Sequence, residues 1–132
     1  MQDTLSIRTR RSPLGRVRGA GTAKSGVHHW YAERVTSLAL VPLTLWFIFS
    51  TVRLAGARQE FVAAWAGHPW NAVLLLALIV MTFHHMALGI QVVLEDYVKP
   101  AWVMTTGVLV TKAVCGLLAL TAALSVLKLA LQ

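Results

Sequence analysis

Residues 83–100, FHHMALGIQVVLEDYVKP, place two adjacent histidines in an apolar run that ends in a cluster of titratable side chains. An imidazole can bind a transition metal, whereas carboxylates and phenols can accept, donate or deliver protons. The clustered side chains are Glu95, Asp96, Tyr97 and Lys99. The segment therefore carries residues suited to two kinds of chemistry: metal ligation within the apolar run and proton-coupled binding at its end.

Adjacent residues of an α-helix point about 100° apart, so His84 and His85 cannot both serve one site. His85 shares a helical stripe with Gly89, Val92 and Asp96, whereas His84 lies on another stripe. A glycine one turn from an imidazole leaves clearance for a flat macrocycle, and haem iron accepts a neutral imidazole nitrogen. His85 is the candidate ligand. The alternative is a histidine that only donates a hydrogen bond across a helix interface.

A six-coordinate haem needs a second axial ligand, and the remaining histidines offer none at a matching depth. His28 and His29 precede the first apolar run, and His68 lies in the loop before the second. A partner helix would have to supply that ligand. Arg34, at the start of the first run, could bind carboxylates through its forked donors. It could equally snorkel to lipid phosphate or pair with Glu33.

Tyr97 lies twelve residues beyond His85, about 18 Å along a helix, and so reaches the membrane interface. Its phenol can donate a hydrogen bond to a carbonyl while Asp96 delivers protons, which makes the pair a candidate quinone site. The alternative is an interfacial aromatic beside a solvated helix end formed by Asp96 and Lys99.

Three apolar runs are long enough to cross a hydrocarbon core of about 30 Å, which takes about 20 helical residues. They predict helices at about 33–55, 70–95 and 102–128. The 132 residues are 57% hydrophobic and 13% charged, far from the composition of a soluble domain. The sequence predicts an all-α membrane protein with three transmembrane helices. A bundle this small encloses little interior, so helices of another chain are expected beside it.

Half of the 12 Lys and Arg residues lie near the N-terminus: Arg8, Arg10, Arg11, Arg16, Arg18 and Lys24. By the positive-inside rule, the N-terminus is expected to be cytoplasmic and the C-terminus external. Residues 1–27 are predicted to form a basic cytoplasmic arm, and residues 28–132 the transmembrane anchor domain. The alternative is an export signal containing the twin arginine of RTRRS, but no apolar h-region follows at the usual distance.

Two further patterns predict local structure. An apolar stripe at Phe61, Ala64 and Trp65 predicts a short interfacial helix between the first two spans. Small residues recur every four positions in the third span, which lets another helix approach closely. They are Gly107, Thr111, Cys115, Ala119 and Ala123. The sequence has no nucleophile motif, phosphate loop or metal-binding cysteine cluster, so no catalytic residue and no nucleic-acid partner are expected.

Residues 26–43, GVHHWYAERVTSLALVPL, and residues 84–100, HHMALGIQVVLEDYVKP, resemble the small hydrophobic anchor subunit of succinate dehydrogenase, the succinate:quinone oxidoreductase of respiratory complex II. The specific part is a histidine followed by G-x-Q-V and D-Y-V-K-P, which begins here at His85. The resemblance implies a three-helix anchor packed in a helical bundle with a second hydrophobic anchor, the cytochrome b subunit. One haem b would lie between the two subunits, with one histidine from each.

Roles for individual residues follow from the resemblance. It implies that His85 is the axial ligand to the haem iron, with Gly89 leaving space for the haem. Arg34 would approach the haem propionates, with His28 a further candidate for the same neighbourhood. Tyr97 and Asp96 would contact ubiquinone or another quinone.

The resemblance also implies an iron–sulfur subunit and an FAD flavoprotein as soluble partners, and a bacterial inner membrane in preference to the mitochondrial one. None of the soluble subunits' motifs is present, so this chain alone is expected to catalyse nothing. Three alternatives stay open: a small transporter or proton-relay subunit, a purely structural anchor, and the anchor of a fumarate reductase.

Overall fold

The computed structural model describes residues 23–131, which form four α-helices. They are α1 (Ala23–Leu54), α2 (Gln59–Gly67), α3 (Pro69–Tyr97) and α4 (Ala101–Ala130). Three of them, α1, α3 and α4, are long and apolar enough to cross a membrane. No strand occurs in this part of the chain. The predicted all-α fold with three transmembrane helices is confirmed.

The first helix differs most from its expected bounds. It begins at Ala23, ten residues before the expected start at 33, and it continues through Pro42. An apolar run marks only the part of a helix in hydrocarbon, but backbone groups near the interface are also best satisfied within the helix. Residues 1–22 of the predicted arm lie outside the described residues.

The short helix predicted between the first two spans is confirmed as α2. Trp65 stacks on Trp46 of α1, with ring centroids 5.7 Å apart. The side-chain amide of Asn71 donates a 2.8 Å hydrogen bond to the Trp65 carbonyl. Gly67 approaches α4 so closely that a Cβ there would lie 2.5 Å from the carbonyl oxygen of Leu129. These contacts fix α2 at the end of the bundle where α3 begins.

The helix α3 lies between α1 and α4 and contacts both, whereas α1 and α4 hardly touch. The small-residue stripe of α4 packs against α3: Cys115 is 5% exposed, and a Cβ on Gly107 would lie 3.3 Å from the Leu94 side chain. Few other side chains are buried, and large apolar ones such as Leu38 remain exposed. The outer faces therefore require lipid or further helices against them.

Candidate functional site

The imidazole of His85 faces α1. Its Nδ1 atom lies 2.9 Å from Oγ1 of Thr36, which is 6% exposed. The same Oγ1 atom lies 2.9 Å from the carbonyl oxygen of Ala32 and 3.0 Å from that of Glu33, both on α1. The contact joins the two helices within the membrane-spanning part of the chain.

These distances assign the protons of the pair. A threonine hydroxyl carries one proton, and a backbone carbonyl can only accept a hydrogen bond. If the hydroxyl of Thr36 donated to His85, its lone pairs would face two carbonyl oxygens without an intervening proton. The hydroxyl therefore donates to its own helix, and Nδ1–H of His85 donates to Oγ1. In a neutral imidazole with this hydrogen bond, the lone pair is on Nε2, the nitrogen that a metal would take.

His84 is placed differently. Its side chain is exposed and lines two grooves, one of about 490 Å³ between α3 and α4 and one of about 510 Å³ between α1 and α3. His85 lines neither of these grooves. The structure therefore separates the two imidazoles, as helical geometry requires for adjacent residues.

Gly89 lies on the His85 side of α3. It is five residues from His84, which puts the two about 140° apart around the helix. A Cβ built on Gly89 would have no atom within 4 Å. A flat group packed against Gly89 would thus have space beside His85, and it would be distinct from anything that fills the grooves beside His84.

The two residues expected near haem carboxylates occupy different sides of α1. His28 lines the groove between α1 and α3 together with Thr36 and His84. Arg34 is exposed, and its guanidinium carbon lies 5.3 Å from the ring centroid of Trp30. Because it is two residues from Thr36, about 200° around the helix, Arg34 points away from the contact with α3. Within this chain, His28 lines the same groove as Thr36 and Arg34 does not.

The candidate quinone residues lie together at the end of α3. Asp96 and Tyr97 are both exposed, and Tyr97 retains 80% of its surface. Just before them on α3, the amide nitrogen of Gln91 donates a 2.7 Å hydrogen bond to Glu95. The amide oxygen of Gln91 is buried and has no hydrogen-bond partner in the described part of the chain. A buried acceptor without a partner is costly, so a water or a partner group there would be favourable.

Two polar residues within the membrane spans were not predicted from the sequence to have a role. Lys112 lies eleven residues after Ala101, the start of α4. Its side chain is exposed and lines the groove that contains His84. An ionisable residue inside a span is itself a signal of function, so Lys112 could have been found from the sequence. Thr36 carries no such signal, because a hydroxyl often satisfies itself within its own helix.

The described residues contain no group of three or more His, Cys, Asp or Glu side chains that could hold a metal ion. A lone imidazole can supply one axial ligand to iron whose remaining ligands come from a porphyrin and another protein residue. His85 fits that role through its assigned tautomer and the open space at Gly89.

Known proteins similar to this chain support its resemblance to a succinate dehydrogenase membrane subunit. The sequence model of the family described as "Succinate dehydrogenase/Fumarate reductase transmembrane subunit" matches residues 8–126. The chain is 30% identical over 106 residues to the succinate dehydrogenase hydrophobic membrane anchor subunit of Rickettsia conorii, covering 80% of this chain and 84% of that one.

Two further relatives bear the same name. The Rickettsia bellii protein is 33% identical over 89 residues, which cover 67% of this chain and 71% of that one. The Paracoccus denitrificans protein is 29% identical over 86 residues, or 65% of this chain and 67% of that one. The family model matches residues 8–126, and three helices are able to span a membrane. The chain therefore belongs to the family of transmembrane subunits of succinate dehydrogenase and fumarate reductase.

Proposed function

We propose that this chain is the membrane anchor subunit of a succinate:quinone oxidoreductase in a bacterial inner membrane. The observation that carries the proposal is the family match over residues 8–126, almost the whole chain. In this function, the chain docks an FAD flavoprotein and an iron–sulfur subunit and packs against a second hydrophobic anchor. The test is whether succinate-dependent quinone reduction is captured through a tag on this chain.

His85 would bind the iron of haem b, and the second anchor would provide a further ligand. Support comes from the hydrogen bond of Nδ1 to Thr36, which leaves Nε2 for iron, and from the open space at Gly89. Haem b, when bound, supplies a one-electron redox centre. His28 and Arg34 are the candidates for binding the propionates.

Tyr97 and Asp96 form part of the quinone site. Reduction of a quinone to a quinol consumes two protons, so the site needs a hydrogen-bond donor to the carbonyl and a route to water. The exposed phenol of Tyr97 and the adjacent carboxylate of Asp96 meet both needs at the end of α3. The soluble subunits would cover this end, which puts the quinone next to the electron donor.

The distribution of Lys and Arg predicts the topology of the chain in the membrane. Six Lys and Arg residues of residues 1–27, with Lys99, are expected on the cytoplasmic side, against Arg53, Arg58 and Lys128 outside. A reporter fused before Met1 is expected to be active in the cytoplasm and one fused after Gln132 outside it. Matched fusions in both locations measure this directly. Two ends on one side would contradict the topology, while two inverted ends would move Tyr97 away from the cytoplasm.

A proton-relay subunit is the second candidate function. The observation that favours it is the groove that holds both His84 and Lys112 within the membrane spans. Such a subunit would not capture succinate-dependent quinone reduction, and its function would depend on His84 and Lys112 and not on His85.

A further inference from the structure

We propose that Thr36 is a positioning residue for the haem ligand: it fixes the tautomer and ring orientation of His85 and lowers the reduction potential of the iron. This inference rests on the proposed role of His85. Thr36 is the one buried polar residue among the residues whose burial the structure describes. Its hydroxyl lies 2.9 Å from Nδ1 of His85.

The hydroxyl is a fixed acceptor. Because the side chain is β-branched, its χ1 angle is restricted in a helix. Its proton is also committed to the carbonyls of Ala32 and Glu33, at 2.9 and 3.0 Å. Both constraints hold Oγ1 with a lone pair towards α3. The imidazole of His85 can satisfy Nδ1–H only by keeping its ring in the observed orientation.

A metal-bound imidazole that donates its other N–H to a fixed acceptor is a more basic ligand. A more basic axial ligand stabilises ferric over ferrous iron and so lowers the potential of the haem. Removal of the acceptor is therefore expected to raise that potential and to let the ring rotate. Loss of such a supporting hydrogen bond typically weakens metal binding about 10- to 100-fold.

The deciding variant is Thr36→Val, which keeps the shape of the side chain and removes the hydroxyl. In the purified complex, redox titration is expected to show a higher haem potential. A tenfold loss of the preference for ferric iron corresponds to about 59 mV. Electron paramagnetic resonance of the ferric haem is expected to show shifted g-values, because these report the orientation of the axial imidazoles. Thr36→Ser keeps the hydroxyl and is expected to restore both properties.

Thr51 provides the matched control. Its hydroxyl also lies 3.0 and 2.9 Å from carbonyl oxygens of its own helix, those of Phe47 and Ile48, but it is exposed. Thr51→Val is expected to leave the potential and g-values unchanged. If Thr36→Val does not assemble, Thr36→Cys replaces the hydroxyl with a weaker acceptor and is expected to raise the potential by less.

Three outcomes overturn the inference. The first is a Thr36→Val complex with wild-type potential and g-values. The second is equal perturbation by Thr36→Val and Thr51→Val. The third, if only the cysteine variant assembles, is a Thr36→Cys complex with wild-type values. A wild-type complex that contains no haem would instead refute the proposed role of His85, so the two failures are distinguishable.

Discussion

His85→Ala is expected to remove most of the b-type haem absorbance from the assembled complex. The variant deletes an iron ligand, and a haem between two subunits would then be held by one axial bond and its pocket. The loss should exceed the roughly 10- to 100-fold weakening that follows when only a supporting hydrogen bond is removed. A dithionite-reduced visible spectrum, normalised to the iron–sulfur subunit, measures the haem content.

His84→Ala is the control, because His84 is adjacent to His85 but has different neighbours in the structure. His84 is the exposed histidine that lines two grooves, whereas His85 is turned towards Thr36. The account predicts that His84→Ala keeps the haem. Haem lost from His84→Ala and retained by His85→Ala would reverse the assignment and transfer the ligand to the groove side of α3.

Tyr97→Phe is expected to slow quinone reduction about two- to tenfold while succinate oxidation by a soluble dye stays near normal. The variant retains the aromatic ring and removes only the phenol donor. One hydrogen bond to a neutral acceptor is worth about 0.5–1.5 kcal/mol, and more if charge develops on the quinone oxygen. Parallel assays with a quinone and with a dye on the same preparation separate the two steps, because the dye takes electrons before the membrane site.

The chain's other tyrosine, Tyr31, gives a matched control. It is also exposed, at 62%, but it lies on α1 in the groove between α1 and α3. Tyr31→Phe is expected to leave both assays unchanged, whereas Asp96→Asn should share the defect of Tyr97→Phe. Unchanged quinone reduction and inhibitor affinity in Tyr97→Phe would make Tyr97 an interfacial aromatic only and assign the quinone site to partner subunits.

The membrane spans could be predicted because a hydrocarbon core imposes a length and a composition on any helix that crosses it. The interfacial helix α2 could be predicted from the stripe at Phe61, Ala64 and Trp65. The start of α1 at Ala23 could not be predicted, because residues at the interface have no apolar signature. They continue the helix because it satisfies their backbone hydrogen-bonding groups.

The hydrogen bond between Thr36 and His85 could not be predicted from the sequence, for a different reason. Periodicity assigns each residue to a face of its own helix, but it does not set the rotation of one helix against another. That rotation decides which of His84 and His85 forms a hydrogen bond with α1. The stripe from Gly107 to Ala123 likewise predicted a close helix contact without naming α3 as the partner.

Whether this chain is the anchor of a succinate:quinone oxidoreductase is tested by capturing succinate-dependent quinone reduction through the chain. A tag on this chain would be used to purify it from mild-detergent extracts of membranes, and the activity would be assayed in the captured and unbound fractions. We expect the activity to follow the tag, together with a flavoprotein, an iron–sulfur protein, a second anchor and b-type haem. If the tagged chain were captured intact while the activity and those subunits remained in the unbound fraction, this chain would not be the anchor subunit of that complex.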